Sequence, residues 1–153
     1  MSASHASVSA DPEGWAGVSG SLLVVGVNWL GDSVMTLPAL QALRRSRPGL
    51  RCTMLVKPPL IPFWRLAPGV ADDIMAIGGS VGGTLQTARR VHAAGFEAAV
   101  ILPQSFRSAL IPWLARIPIR RGMPGHVRDW MLNDRVRPAG DDGAEHQARQ
   151  YYD

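Results

Sequence analysis

The sequence predicts an α/β fold in which a parallel sheet is flanked by helices, and three observations carry that reading. Residues 22–27, LLVVGV, form a short valine-rich apolar run of the kind that a strand buried on both faces requires. A turn bracketed by Gly26 and Gly31 follows, after which Val34, Leu37, Leu40 and Leu43 recur every third residue and lay one apolar stripe along a helix. The alternation of short apolar runs with helical periodicity then continues to residue 115, as βαβ units demand.

Taken in order, residues 1–20 are rich in Ser, Ala and Gly, lack periodicity and read as a disordered tail. They hold neither a basic start nor a continuous apolar segment, so no secretory signal is expected. Glycine and serine break the uncharged span before Asp32, which is therefore not read as a membrane helix. After the strand at 22–27, Asp32 and Ser33 stand where a helix cap is expected. Residues 51–56 read as a second strand, ended by Lys57-Pro58-Pro59. Residues 60–66 suit a short helix, and 74–77 a third strand after the turn-like Pro68-Gly69. Residues 78–83 read as a flexible glycine loop. A helix follows over 84–94 with Leu85, Ala88, Val91 and His92 inward, then a fourth strand over 98–102 and a helix over 105–115. Pro38 and Pro112 fall inside these helices, where each removes a hydrogen bond and favours a kink.

Composition bounds the function. A chain of 153 residues suits one domain, and 46% hydrophobic content supplies a core. The single cysteine, Cys52, excludes an internal disulfide and reads as a small buried hydrophobe in a reducing compartment, so a cytoplasmic location is expected. Together with the scattered His5, His92, His126 and His146 it shows no metal-ligand spacing, so neither a metal nor a cofactor is expected. The net charge of +4 is uneven: residues 105–137 hold seven arginines against Asp129 and Asp134, whereas 138–153 hold one base against four acids. That basic band reads either as a solvated surface or as the mark of an anionic partner. No helix-turn-helix, zinc or aromatic RNA-binding signature accompanies it, so nucleic acid is not the expected partner.

Ligands of open α/β sheets bind beyond the carboxyl ends of the strands, which directs attention to two loops. The turn after the first strand nearly matches two phosphate-binding motifs and fits neither. Asn28 replaces the second glycine of G-x-G-x-x-G, and Asp32 stands where a P-loop has its lysine. An anion at that position repels phosphate. Asp32 then either only caps the helix or accepts a proton from a ligand hydroxyl. In the second loop, LPQSFRSAL, the residues Gln104, Ser105, Arg107 and Ser108 cluster at a helix start. There the free backbone N–H groups favour an anion and Arg107 offers a planar fork to a carboxylate or phosphate. Ordinary capping, with Arg107 in solvent, is the other reading.

Five stretches carry a family resemblance: NWLGDSVMTLPAL (28–40), LPQSFRSALIP (102–112), IPIRRG (117–122), MLND (131–134) and HQARQYY (146–152). In that order and spacing they resemble the N-terminal half of bacterial ADP-heptose:lipopolysaccharide heptosyltransferases, heptosyltransferase II type, in glycosyltransferase family nine. The resemblance implies a GT-B enzyme with two Rossmann-like halves facing across a cleft. Residues 21–140 would be the acceptor-binding half and 141–153 the start of the interdomain hinge, with the C-terminal donor domain absent. It implies inverting transfer of heptose from ADP-L-glycero-D-manno-heptose to the lipopolysaccharide inner core, without a metal. Asp32 would be the general base, and Asn28 and Gly31 would shape the turn around it. Arg107, with Gln104 and Ser108, would meet the anionic acceptor, and Arg120 and Arg121 would extend that basic wall. As the chain stops at Asp153, it is expected to fold but to transfer heptose poorly or not at all alone. A lipid-linked acceptor and the basic band add an expected peripheral contact with the inner membrane. Two other classes stay open, a non-catalytic acceptor-binding module and a small nucleotide-binding α/β protein.

Overall fold

A computed structural model describes residue 15, residues 17–125 and residues 127–136. Six strands form one sheet: β1 (Ser21–Val25), β2 (Arg51–Val56), β3 (Asp73–Ala76), β4 (Ala98–Ile101), β5 (Ile119–Gly122) and β6 (Asp134–Arg135). Their order across the sheet is β3-β2-β1-β4-β5-β6, and each neighbouring pair is parallel. The connections carry α1 (Leu30–Ser46), α2 (Ile61–Leu66), α3 (Val81–Ala94) and α4 (Phe106–Leu114), with 3₁₀ turns at Pro58–Leu60 and Asp129–Met131. The α/β class with a parallel sheet is therefore as the sequence predicts. β5 and β6 were not foreseen, because four- and two-residue strands of arginine and aspartate show no apolar run.

Burial follows the pleat. Along β1, Leu22 and Val24 enter one core with Leu40 of α1 and Trp64 of α2, whereas Leu23 and Val25 enter the other with Val91 of α3 and Ile111 of α4. Each face of the sheet thus has its own pair of helices.

Several local expectations are corrected. On α1 the buried positions are Ser33, Thr36, Ala39 and Leu40, while Val34 is 52% exposed. Small hydroxylated residues face the sheet because their oxygens bond within the helix, Ser33 Oγ to the Trp29 carbonyl at 2.9 Å and Thr36 Oγ1 to that of Ser33 at 2.9 Å. On α3 the inward residues are Thr84, Thr87, Ala88 and Val91, so Leu85 faces out. His92 is exposed with Nδ1 2.9 Å from the Ala115 carbonyl. The expected glycine loop ends early: Ser80 caps α3 through Gly83 N–H, and Gly82 and Gly83 lie inside the helix. The tail expected through Gly20 is also shorter, since Trp15 and Val18 are buried against the sheet and Arg47 Nη1 donates to the Trp15 carbonyl at 2.7 Å. A composition-based reading missed this because two apolar residues among Ser and Gly carry no period. The remainder of the expected tail, the hinge at 141–153 and the HQARQYY stretch lie outside the described residues. Among the described residues no helix is long and apolar enough to cross a membrane.

Candidate functional site

The register places both expected loops side by side. Val25 aligns with Leu55 on β2 and with Ile101 on β4. Gly26 N–H continues the ladder to the Leu55 carbonyl at 2.9 Å, and Leu102 N–H donates to the Val25 carbonyl at 3.2 Å. The chain therefore leaves β1 and β4 at one edge, at the point where the strand order turns from β1-β2-β3 to β4-β5-β6. A crevice forms at such a switch point because the connections on its two sides depart to opposite faces.

Asp32 lies in the first turn of α1, half-buried, three residues after the N-cap Trp29. The expected capping role is not what the structure has: Trp29 is the cap and makes no side-chain cap bond. Among the described residues no group donates a hydrogen bond to the Asp32 carboxylate, and none pairs with it. Asn28, half-buried where β1 ends, likewise has an uncommitted side chain among the described residues. Gly31 is exposed, with open space where a Cβ would sit, so the helix itself does not require glycine there.

The second loop is built differently from expectation. Ser105 caps α4 by accepting from Ser108 N–H at 3.3 Å. Ser108 is buried and its hydroxyl donates to the carbonyls of Ser105 at 2.6 Å and Pro103 at 3.0 Å, so it holds the loop rather than facing a ligand. Arg107 donates to the carbonyls of Gly78, Gly79 and Ser80, the latter two at 3.2 Å. The fork expected to clamp an anion thus braces the loop after β3. Gln104 stays exposed, with Nε2 3.6 Å from Met123 Sδ.

Arg120 and Arg121 do not form a free basic wall either. Arg120 Nε donates to the Met131 carbonyl and Nη1 to that of Ile117, both at 2.6 Å, and burial pulls its pKa down. Arg121 Nε sits 2.8 Å from Asp134 Oδ2, and its guanidinium lies 4.8 Å from the Trp15 ring centroid. These two residues fasten β5 to β6 and to the N-terminal segment. The basic band is in large part structural because arginine's planar donors suit orphan carbonyls where the short edge strands end.

One residue escaped the sequence reading altogether. Arg128 is 0% exposed and joins the loop after β4 to the loop after β5, donating from Nε to the Met123 carbonyl at 3.1 Å and from Nη1 to that of Pro103. Desolvation pulls its pKa down and neighbouring Asp129 acts against that pull. Beside it Val127 holds a left-handed φ of 58°, a costly conformation for a β-branched residue that the surrounding bonds must sustain. Nothing in the sequence distinguishes Arg128 from the other arginines of its band. Among the described residues, no cluster of three His, Cys, Asp or Glu side chains could hold a metal ion.

Comparison with known proteins agrees with this architecture. The chain is 33% identical over 119 residues to lipooligosaccharide heptosyltransferase 2 of Haemophilus ducreyi, covering 74% of this chain and 33% of that protein. It is 31% identical over 117 residues to lipopolysaccharide heptosyltransferase 2 of Salmonella typhimurium, covering 74% and 34%. The solved structure of Escherichia coli ADP-heptose lipopolysaccharide heptosyltransferase II superposes with a TM-score of 0.76 at 26% identity, over 86% of this chain and 39% of that one. Over the part that it spans, the chain is similar to the heptosyltransferases. It spans about a third of the length of the curated relatives it matches. A glycosyltransferase family 9 structure from Veillonella parvula shares the fold, with a TM-score of 0.76 at 23% identity. No family model matches the sequence. Within the heptosyltransferase fold the uncommitted polar groups at the switch point are Asn28 and Asp32, with Gln104 exposed beside the second loop.

Proposed function

We propose that this chain is the acceptor-binding part of an inverting heptosyltransferase that transfers heptose from ADP-heptose to the lipopolysaccharide inner core, with Asp32 as general base. The uncommitted Asp32 carboxylate at the switch point carries the reading: it neither caps α1 nor joins an ion pair among the described residues, so it is available to a ligand. In this reaction the carboxylate takes the proton of an acceptor hydroxyl while the hydroxyl oxygen attacks the anomeric carbon. The bond to ADP breaks on the opposite side, and ADP leaves with the electron pair. A positioned base supplies roughly 10²–10⁴-fold of rate. Asn28 and Gln104 are suited to hold neutral sugar hydroxyls, which both donate and accept hydrogen bonds. The donor site belongs to the part of the relatives that this chain does not span.

Calorimetry separates this reading from the alternatives. The chain should bind an inner-core acceptor and not ADP. Asp32→Asn should leave acceptor binding intact and abolish turnover once the remainder of the enzyme is supplied. Tight ADP binding without acceptor binding would instead assign a nucleotide-binding α/β protein. Turnover that survives Asp32→Asn would leave a non-catalytic role for this carboxylate.

A further inference from the structure

The layer formed by α3 and α4 has an outer face that none of the site chemistry uses. Phe106, Trp113 and Trp130 are 44%, 37% and 56% exposed, and they pack on one another outside the core. The Trp113 and Trp130 rings meet edge to face with centroids 4.9 Å apart, and Phe106 lies 6.4 Å from Trp130. The Trp130 indole N–H is already satisfied by the Val127 carbonyl at 2.9 Å, so the cluster offers apolar edges to whatever covers it. Clustered exposed aromatics of this size mark a contact surface.

Charge selects the partner. Arg89 and Arg90 on α3 and Arg116 just beyond α4 are exposed, and among the described residues none has a side-chain partner. Neither helix contains an acid, and between Asp73 and Asp129 the sequence holds only Glu97. Glu97, just before β4 at the same end of the sheet as Arg116, is engaged elsewhere: its Oε2 accepts from the Ser19 and Gly20 N–H groups at 3.2 Å. The two helices thus carry exposed arginines and no acid in the same layer as the aromatic cluster, and Asp129, next to Trp130, already accepts from the Gly125 N–H. Tryptophan suits the boundary between headgroups and acyl chains, and arginine suits anionic headgroups beside it.

We propose that the outer face of the α3–α4 layer, through Phe106, Trp113, Trp130, Arg89, Arg90 and Arg116, docks on an anionic lipid surface. The choice of lipid rests on the lipid-borne acceptor proposed above. The docking face lies on the flank of the sheet, and the switch-point edge stays open beside it.

Flotation of the 153-residue chain with vesicles of phosphatidylethanolamine and phosphatidylglycerol (3:1), against pure phosphatidylcholine, tests this directly. The vesicles carry no acceptor, so the outcome is independent of whether Asp32 is the base. The chain should float with the anionic vesicles, be released as salt rises, and remain behind with phosphatidylcholine. Trp113→Ala with Trp130→Ala should lower partition at least about tenfold, and reversal of Arg89, Arg90 and Arg116 to Glu about fivefold per residue. Leu66→Ala, 83% exposed at the end of α2 on the opposite layer, should change nothing. Circular dichroism should show every variant folded, since all the altered side chains lie on the surface. Failure to float, equal binding to both lipids, or unchanged binding by the aromatic variant would overturn the proposal. So would concentration-dependent dimerisation lost in that variant without vesicle binding, which would assign the face to a second copy of the chain.

Discussion

Arg107 donates from Nη1 to the carbonyl of Gly79 across 3.2 Å, linking the loop after β4 to the loop after β3. The residue with the strongest sequence claim to an anion is therefore part of the frame. Its partners Gly78 to Ser80 precede α3, whose Thr84 N–H donates to the Ser80 carbonyl at 2.9 Å. Arg107→Ala should loosen that first turn, speeding hydrogen exchange at Gly83 and Thr84 about fivefold while lowering global stability by under about 1 kcal/mol. Unchanged exchange would mean that the loop holds itself.

Arg128 should matter far more. Arg128→Met keeps much of the volume but leaves the half-buried Met123 carbonyl without its donor and the buried Pro103 carbonyl with the Ser108 hydroxyl alone. A loss of about 3 kcal/mol in urea unfolding is expected. Arg128→Lys should recover only part of it, since a point charge cannot span both loops.

Asp32→Asn should change stability by less than about 0.5 kcal/mol, because the side chain caps nothing. Ser105→Ala and Ser80→Ala, which remove true caps, should each cost about 1 kcal/mol. A large loss in Asp32→Asn would return this residue to a structural role.

Glycines divide in the same way. Gly31→Ala should stabilise α1 by about 0.5–1 kcal/mol, since a Cβ meets nothing within 4 Å. If its absence admits the acceptor, binding weakens in the same variant. At Gly78 a Cβ would lie 2.6 Å from the Gly83 backbone, so Gly78→Ala should destabilise by about 2 kcal/mol or more.

Burial pushes the Cys52 thiol from 9.0 up to about 11, with Asp72 adding to the rise and Arg44 opposing it. Between those values the folded chain holds a proton that the unfolded chain has lost. Stability should therefore fall by about 1.4 kcal/mol per pH unit as pH rises through that window. Cys52→Ala should remove this part of the slope, as urea unfolding at pH 9 and 11 would show.

By itself the sequence determined the parallel α/β class, the four strands with apolar runs, and the two ligand-edge loops, because periodicity and turn residues act over a few neighbours. It also carried the resemblance to the heptosyltransferases, through ordered motifs around Asn28, Asp32 and Gln104. Only the tertiary structure decided which polar groups remain available. Ser108 and Arg107 read as ligand-facing from their place in the loop, and Arg120 and Arg121 from the resemblance, yet the first three donate to carbonyls 3 to 29 residues away and Arg121 pairs with Asp134. Trp15, whose carbonyl accepts from Arg47, and the buried Arg128 became visible only with their partners in place. Hydrogen-bond demand is set by where the chain's orphan acceptors gather in space, and that is a property of the fold.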